Sequence, residues 1–288
     1  MHMSQDPFTA HRRLLFTVAY EMLGSAADAD DVLQESWLRW AGVDQSQVRD
    51  PRAYLIRVVT SQALNRLRTV SRRREDYVGE WLPEPLLTSP DVAEDVELAD
   101  SVSMAMLTVL ETLGPTERAV FVLREVFDLA YGEIGEAIGK STPAVRQIAL
   151  RAREHVAARR PRVRVSRTEQ QAVVERFLVA LRTGDVQALM EVMAPDVVLV
   201  ADGGGVVPAA PAPIQGAERL ARLLTRYDRA ITAVWLNGAP AARLHLGDTQ
   251  AAVSLVVENG KVSRIYAVAN PHKLTRLDEP AELARFSQ

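Results

Sequence analysis

The spacing of apolar positions separates a helical first part of the chain from a mixed last part. Apolar residues recur at helical intervals through residues 8–40. Asp50 followed by Pro51 then gives a strong start signal for a helix that runs to the arginines at 72–74. A second helical stretch is divided by Gly and Pro residues into helices at 101–113, 116–128, 132–138 and from Pro143 onward, with Thr142 as N-cap. These two blocks are therefore predicted to be all-α.

From about residue 166 the pattern changes to helices followed by strands. Strand-like runs appear in the sequences DVVLVAD, TAVWLNG, ARLHLG and TQAAVSLVVENGKVSRIYAVA, and helices are predicted near 168–183, 185–194 and 217–229. In the last strand-like run, Asn259-Gly260 lies between two alternating apolar stretches, which predicts a type I′ hairpin. Helices followed by a strand meander predict an α+β domain in which a curved sheet wraps around a helix.

An acidic segment, residues 75–100, connects the two helical blocks and is called the linker below. It contains nine Asp or Glu, no Lys or Arg, three prolines and Trp81. The blocks on either side carry an excess of arginine, so the net charge of −3 conceals two basic regions and one acidic region. A stretch of this length and composition predicts an extended connection between domains.

The composition excludes several classes of site. The chain has no cysteine, which excludes disulfides and thiolate metal sites and is consistent with a cytoplasmic protein. We find no secretory signal and no apolar run long enough to span a bilayer. The phosphate-binding patterns GxxxxGK(S/T) and GxGxxG do not occur, so we expect no nucleotide-driven activity, no cofactor and no metal.

The segment AYGEIGEAIGKSTPAVRQIALRAREHVAARR has the pattern of a helix-turn-helix, because a short Gly-containing turn joins two helices. In the second helix Val145, Ile148 and Ala149 are expected to face the first. Its N-terminal end and outer face carry Ser141, Thr142, Ala144, Gln147 and Arg151, which could reach base edges, while Arg146, Arg151 and Arg153 could bind phosphates. These residues by themselves equally allow an αα-hairpin with a solvated basic face.

Two motifs in a fixed order resemble bacterial sigma factors. The sequence FVLREVFDLAYGEIGEAIGKSTPAVRQIALRARE is similar to their fourth conserved region, which reads the −35 promoter element. DADDVLQESWLRW followed by DPRAYLIRVVTSQALNRLRTVSRRR resembles their second region, which binds RNA polymerase and melts the −10 element. The absence of a domain between these two motifs is the layout of the extracytoplasmic-function sigma factors.

The resemblance implies roles for individual residues. The clamp helices of the polymerase β′ subunit would be bound by Asp31, Gln34, Glu35 and Trp37. The opened −10 strand would face Asn65, Arg66, Arg68, Arg72, Arg73 and Arg74, since arginines suit both phosphates and unstacked bases. The −35 element would be read by Ser141, Thr142, Ala144, Arg146, Gln147 and Arg151. Without the resemblance, Asp30 and Asp31 would be ordinary helix N-terminal charges and the arginines at 72–74 a solvated helix end.

The linker sequence YVGEWLPEP resembles that of a sigma subgroup with a C-terminal SnoaL-like domain, a fold related to ketosteroid isomerase and nuclear transport factor 2. ADGGG at 201–205 and NPHKL at 270–274 match two further motifs of this subgroup, which commonly has Lys at the position of Val206 and often Asp at that of His272. We hypothesise that the linker docks on the C-terminal domain through Trp81, Leu82, Pro83, Glu84, Pro85, Asp202, Gly203, Gly204, Gly205, Asn270, Pro271, Lys273 and Leu274.

The predicted organisation is multidomain. It comprises two all-α sigma domains, the second with the helix-turn-helix, at 1–74 and 101–164, the linker at 75–100, and an α+β SnoaL-like, cone-shaped domain at 165–288. The expected function is promoter-specific initiation with core RNA polymerase and promoter DNA, regulated in cis by the C-terminal domain. The chain is expected to be a monomer when free and not to act at a membrane.

Two other functions were weighed against this interpretation. A one-component transcription regulator would use the C-terminal domain as a sensor for a small-molecule ligand, but it has no need of the region-2 motif. An enzyme of the SnoaL or isomerase type would need an acid or base in the mouth of the cone, for which the candidates are Asp202, His245 and His272. The two histidines have no known mutual geometry, so we expect no catalytic activity.

Overall fold

The computed structural model describes residues 6–74, 77–159, 165–226, 230–247 and 249–285. Residues 75 and 164, where predicted domain boundaries fall, lie outside this part of the chain, as do the side chains of Arg72, Arg73 and Arg74. The chain divides into unit 1, residues 1–75, 106–160 and 282–288, and unit 2, residues 76–105 and 161–281. Nearly all of the linker therefore belongs to the same unit as the C-terminal α+β region.

The described residues form eleven α-helices and six β-strands. The helices are α1 (Pro7–Leu23), α2 (Ala26–Ala41), α3 (Pro51–Arg74), α4 (Val96–Val102), α5 (Met104–Leu110), α6 (Pro115–Phe121), α7 (Tyr131–Ile138), α8 (Thr142–Arg159), α9 (Arg167–Thr183), α10 (Val186–Val192) and α11 (Ala217–Leu224). The strands are β1 (Met193–Asp202), β2 (Ile214–Gln215), β3 (Ala230–Leu236), β4 (Ala239–Leu246), β5 (Thr249–Glu258) and β6 (Lys261–Val268).

Capping residues define where several helices of unit 1 begin and end. Gly24 ends α1 in the left-handed region at φ 68°, and the Ser25 side chain accepts from Asp28 N to start α2. The predicted start of α3 is confirmed, since Asp50 Oδ1 accepts from Ala53 N at 3.0 Å. α1, α2 and α3 then pack on one another around fully buried residues such as Leu15 and Leu55. Helix α3 also packs against α6 and α7.

A buried cation joins the first and second helical blocks inside unit 1. Arg118 of α6 is 1% exposed; its Nε donates to the carbonyl of Glu21 in α1 at 3.0 Å, and Nη1 binds Glu111 Oε1 at 2.7 Å. Desolvation lowers the pKa of Arg118 to about 9, against the attraction of the buried Glu21 carboxylate. The interior that holds these helices together is therefore partly ionic.

Two predictions about the middle of the chain are wrong. The helix expected over 101–113 is divided between α4 and α5, because Ser103 leaves the helical region at ψ 146°. The linker is also not extended throughout: residues Pro90–Ala93 form a 3₁₀ turn and α4 begins at Val96. Val92 and Leu98 are buried, so tertiary packing folds this half of the linker despite its acidic composition.

Smaller differences concern helix ends. The helix expected over 116–128 gives way after Phe121 to a π-helical turn, Val122–Val126. α8 begins at Thr142, so Ser141 rather than Thr142 lies in the flanking position. α11 ends at Leu224, whereas the sequence predicts a helix to 229, and residues 227–229 are outside the description.

Unit 2 is built on a mixed sheet in the order β2-β1-β6-β5-β4-β3, in which β1 and β6 are parallel and the other pairs antiparallel. The predicted Asn259-Gly260 hairpin is confirmed, with φ of 52° and 70° at the two turn residues. The sequence prediction missed a second hairpin of the same kind at Asn237-Gly238, between β3 and β4, with φ of 52° and 72°.

Both faces of this sheet are apolar and both are covered. Helices α9, α10 and α11 cover one face, where Val253, Leu255 and Ile265 pack against them. Ala252, Tyr266 and Val268 point to the opposite face, where they pack with Leu82 of the linker and Met104. Because neighbouring strand residues alternate between faces, nearly continuous apolar runs in β5 and β6 supply both layers.

Candidate nucleic-acid interface and linker site

Helix α2 presents an exposed face that combines polar and large apolar side chains. Gln34 and Glu35 are exposed, and Trp37 and Leu38 have exposed fractions of 47% and 60%. Two exposed large apolar neighbours are typical of a surface that binds another macromolecule. Leu38 was not among the residues singled out from the sequence, although its place next to Trp37 could have indicated it.

Helix α3 presents Asn65 and Arg68 to solvent, but Arg66 is held by carboxylates of α2. Its Nε donates to Asp28 Oδ1 and its Nη2 to Asp31 Oδ2, each at 2.7 Å. Burial lowers the pKa of Arg66, but the hydrogen bonds and charges of Asp28 and Asp31 outweigh it and raise the pKa overall. Two residues assigned to different partners, Arg66 and Asp31, thus contact each other.

The helix-turn-helix has the predicted internal packing. Val145, Ile148 and Ala149 of α8 are buried. The turn is tight at Gly135 of α7, where a Cβ atom would lie 2.6 Å from the carbonyl oxygen of Lys140. The polar residues assigned to the −35 element are accessible: Ser141, Arg146, Gln147 and Arg151 are exposed, and Thr142 and Ala144 half-buried.

Tyr131, at the start of α7, contacts three arginines whose proximity is not apparent from the sequence. The guanidinium carbons of Arg124 and Arg146 lie 4.9 and 5.7 Å from its ring centroid, and Arg153 Nη2 donates to its hydroxyl at 3.4 Å. Arg153 also lies 3.6 Å from Glu125. Stacking on an aromatic ring restricts the motion of the arginines, which orients positive charge beside α8.

In unit 2, Asp202 at the end of β1 binds the linker. It is fully buried and accepts four hydrogen bonds: to Oδ1 from Tyr77 Oη (2.6 Å) and Gly204 N (3.0 Å), and to Oδ2 from Leu82 N (2.9 Å) and Lys273 Nζ (2.7 Å). Lys273 Nζ also donates to Leu82 O at 2.6 Å. Both backbone groups of Leu82 are therefore satisfied by one buried ion pair.

Two linker aromatic rings surround the Lys273 ammonium group. It lies 3.2 Å from the ring centroid of Trp81 and 4.9 Å from that of Tyr77, and the two rings pack edge-to-face with centroids 4.8 Å apart. Asn270 Nδ2 donates to Tyr77 Oη at 2.8 Å. Burial, together with the Asp202 carboxylate, raises the pKa of Tyr77 well above its ordinary value, so this phenol stays a donor.

A second anchor for the linker is Asn237, which sequence reasoning missed. Its Oδ1 accepts from Leu86 N at 3.0 Å, its backbone N–H donates to Leu86 O at 2.9 Å, and Nδ2 donates to Val102 O at 2.9 Å. Thr88 N donates to Trp235 O at 2.9 Å, so the linker adds a short bridge to the edge of β3. The Asn237-Gly238 pair could have been recognised as a turn in the sequence, but it does not reveal that Asn237 binds the linker.

The remaining residues of the linker motif and of the two C-terminal loops lie around these contacts. Pro83, Glu84 and Pro85 are buried. Gly204 has φ 63°, and a Cβ there would collide with the Asn270 side chain; a Cβ at Gly205 would come within 3.1 Å of Val78 in the linker. The remaining loop residues lie alongside, Gly203 and Leu274 buried and Pro271 exposed. The glycines thus permit close approach of the loop to Asn270 and to the linker.

The acid or base candidates do not form a catalytic group. Asp202 is bound to Lys273, His272 is exposed in a short 3₁₀ turn, and His245 is half-buried in β4. Over the described residues, no cluster of three or more His, Cys, Asp or Glu side chains could hold a metal ion. Among the helices described, none has the length and apolar character needed to cross a membrane.

Comparison with known proteins agrees with this geometry. Residues 8–73 match the model of sigma-70 region 2 and residues 103–156 that of sigma-70 region 4. The ECF RNA polymerase sigma factor SigJ of Mycobacterium tuberculosis is 34% identical, over 95% of this chain and 94% of its own length. The probable ECF sigma factor SigI of the same species is 33% identical, over 96% and 98%.

The solved structures agree as well. The crystal structure of Mycobacterium tuberculosis SigJ superposes with a TM-score of 0.76 at 33% identity, over 93% of this chain and 97% of that one. The predicted layout is confirmed: two helical sigma regions, the second with a helix-turn-helix, precede an α+β domain. The chain therefore belongs to the extracytoplasmic-function RNA polymerase sigma factors, which are not enzymes but bind core polymerase and direct promoter-specific transcription initiation.

Proposed function

We propose that the C-terminal domain restrains this sigma factor in cis by holding its linker. The observation that carries the proposal is the buried Asp202–Lys273 pair, which binds the N–H and the C=O of Leu82. In the sigma factors that the chain resembles, the segment between the two DNA-binding regions threads through polymerase toward the RNA path. A linker bound to Asp202 cannot occupy that path, so the two states exclude each other.

The free energy needed to release the linker is large enough to keep the linker bound in the free protein. Leu82 and Leu86 are each 1% exposed, and burial of a leucine side chain is worth about 1.5–3 kcal/mol. Each neutral hydrogen bond adds about 1 kcal/mol, and bonds to charged groups about 1.5–3 kcal/mol. A gap of several kcal/mol is enough to keep a two-state equilibrium almost entirely on one side until a partner binds the other state.

We further propose the partner of each surface. The exposed face of α2, with Asp31, Gln34, Glu35 and Trp37, contacts the β′ clamp helices; Leu38 extends this face. Asn65, Arg66 and Arg68 of α3, followed by Arg72 and Arg73, face the −10 strand. The −35 element is read by Ser141, Thr142, Ala144, Arg146, Gln147 and Arg151. The domain bounds 1–74, 75–100, 101–164 and 165–288 are part of the same proposal.

The test is the affinity of the full chain for purified bacterial core RNA polymerase, which needs no knowledge of the promoter. Asp202→Asn, which loosens the linker, should tighten binding at least several-fold. Asp278→Asn is the matched control, because Asp278 forms a more exposed ion pair with Arg243 in the same unit. Unchanged affinity for Asp202→Asn would exclude a restraint, and weakened affinity would make the C-terminal domain a helper of polymerase binding.

A small-molecule ligand is a second candidate for control of the C-terminal domain. A cavity of about 360 Å³ is lined by Gln250, Pro271 and Leu274 among others, so an occupant would touch the turn that carries Lys273. A metabolite that raises the melting temperature and alters core affinity only when Lys273 is intact would support this role. We also propose that the chain works in the cytoplasm, where polymerase is, and is a monomer of 31.8 kDa, which sedimentation would check.

A further inference from the structure

Arg66 of α3 is the shared partner of two carboxylates on α2, and the two carboxylates are not equivalent. The side chain of Asp28 is 20% exposed and that of Asp31 is 56% exposed, while Arg66 is 33% exposed. Asp28 Oδ1 contacts both Nε and Nη2 at 2.7 Å, and Asp31 Oδ2 contacts Nη2 at 2.7 Å. One contact is thus half-buried and fixes the guanidinium, and the other lies at the surface.

The two helices that this cluster joins face different partners under the proposed function. A carboxylate that is bound to Arg66 offers less charge to a cation of polymerase, and a guanidinium that is bound to Asp31 offers less charge to a phosphate. Asn65 and Arg68, by contrast, are exposed on α3. In the described part of the chain, Asp28 contacts both Nε and Nη2, and Asp31 contacts Nη2 as well, so loss of Asp31 would leave one N–H of Nη2 to donate beside these exposed residues.

We propose that Arg66 couples polymerase binding to binding of the opened strand. Asp28 positions the guanidinium, and Asp31 is its exchangeable partner. When a cation of polymerase binds Asp31, Nη2 of Arg66 stays on Asp28, and the N–H that Asp31 held can bind a phosphate of the strand. The inference rests on the proposed roles of α2 and α3, and adds that Arg66 is a strand-binding residue whose availability depends on polymerase.

The physical chemistry allows such an exchange. An ion pair with an exposed carboxylate is weak, so a competing cation can replace Arg66 on Asp31 at little cost. Arginine suits the role because its planar fork can keep one edge on Asp28 while the other edge changes partner. One added contact between an arginine and a single-stranded phosphate steepens the dependence of log affinity on log salt by about 0.7, which is about fivefold in affinity at 0.1 M salt.

The experiment measures binding of a fluorescent single-stranded DNA 12-mer by the full chain as a function of salt. Asp31→Asn releases Arg66, so it should bind about fivefold tighter than the natural sequence at 0.1 M salt, with a slope steeper by about 0.7. Asp30→Asn is the matched control. It removes the same charge at the neighbouring position, from a side chain that binds Arg12. The double variant Asp31→Asn, Arg66→Gln should lose the gain.

A second measurement uses the holoenzyme with saturating core polymerase. There Arg66→Gln should reduce the salt slope by about 0.7, whereas in the free chain it should leave the slope unchanged. A purely structural Arg66 would lower the melting temperature of Arg66→Gln and change both slopes alike. Equal behaviour of Asp31→Asn and Asp30→Asn, including failure of both to bind, overturns the proposal.

The same assay separates this inference from the role of α3. Arg68 is exposed on α3, so Arg68→Gln should weaken strand binding by the holoenzyme if α3 faces the strand. Weakening by Arg68→Gln without a gain in Asp31→Asn would reject the coupling and keep the role of α3. No effect of Arg68→Gln would reject the role of α3 itself.

Discussion

Loss of the Asp202 charge should free the linker from the sheet of unit 2 without unfolding that sheet. In Asp202→Asn the side chain keeps its size, but Lys273, which is 8% exposed, remains in the site without its anion. Removal of one partner from a buried ion pair costs about 3–5 kcal/mol, because the other charge is left uncompensated. Since Lys273 also lies against the Trp81 ring and can still donate to Leu82 O, we take the lower value, about 3 kcal/mol.

Hydrogen exchange read by mass spectrometry measures this loss directly. The amides of Leu82, Leu86 and Thr88 donate to acceptors in unit 2, and a loss of about 3 kcal/mol should speed their exchange about 100-fold. Peptides from β5, whose amides belong to the sheet, should keep their protection. Asp278→Asn should leave the linker peptides unchanged, because its more exposed pair is worth about 0–1 kcal/mol.

The pattern of exchange also tests how the two anchors are connected. If the linker leaves as one segment, the amides of Leu82 and Leu86 accelerate together. Acceleration at Leu82 alone would mean that Asn237 holds the second half independently, through its own bonds to Leu86. Exchange in Asp202→Asn within twofold of the natural chain would refute the reasoning, since it would show that the ion pair does not hold the linker.

Three further predictions concern stability. Gly184 and Gly204 both have positive φ, but only Gly204 packs on Asn270. In urea unfolding, Gly204→Ala should therefore lower the free energy of unfolding by about 1–3 kcal/mol more than Gly184→Ala does. Equal costs would show that the Asn270 side chain can move aside without losing stability. Arg118→Ala and Arg118→Met should each cost about 3–5 kcal/mol, because both leave Glu111 and the buried Glu21 without this guanidinium; a loss in Arg118→Ala but not in Arg118→Met would contradict an ionic cause. The Trp40 indole donates to Asp6 and lowers the pKa of Asp6 below its ordinary value of 3.8. This stabilisation is therefore present above about pH 4 and is lost as the pH falls through the folded-state pKa of Asp6. The difference in stability between the natural chain and Asp6→Asn should shrink between pH 6 and pH 3. A constant difference would argue against this role of the Trp40–Asp6 hydrogen bond.

Features that depend on a few neighbouring residues could be predicted. The start of α3 follows from the Asp50 side chain and the fixed φ of Pro51, and both Asn-Gly turns follow from residues that tolerate positive φ. The buried side of α8 follows from helical periodicity, as Val145 and Ile148 show. In each case the energy comes from contacts within one or two turns of chain.

Features that depend on distant partners could not be predicted in the same way. The composition of the linker is that of a solvated connection, yet Leu82 is buried because the sheet offers an apolar face and a buried ion pair. The family resemblance assigns Arg66 to the opened strand, and only the packing of α3 on α2 shows that Asp28 and Asp31 bind it. Asn237 and Arg118 gain their roles from partners more than 90 residues away.

The sequence by itself determined the order of the regions, the helix-turn-helix, the family resemblance and the α+β character of the last domain. These depend on local propensity, on the period of the apolar pattern and on motif spacing, all of which can be read directly from the order of residues. The tertiary structure alone decided which charges are neutralised and which segments are bound. Burial and ion pairing depend on groups that approach in space, so the same acidic linker can be free or held according to whether Asp202 and Lys273 bind Leu82.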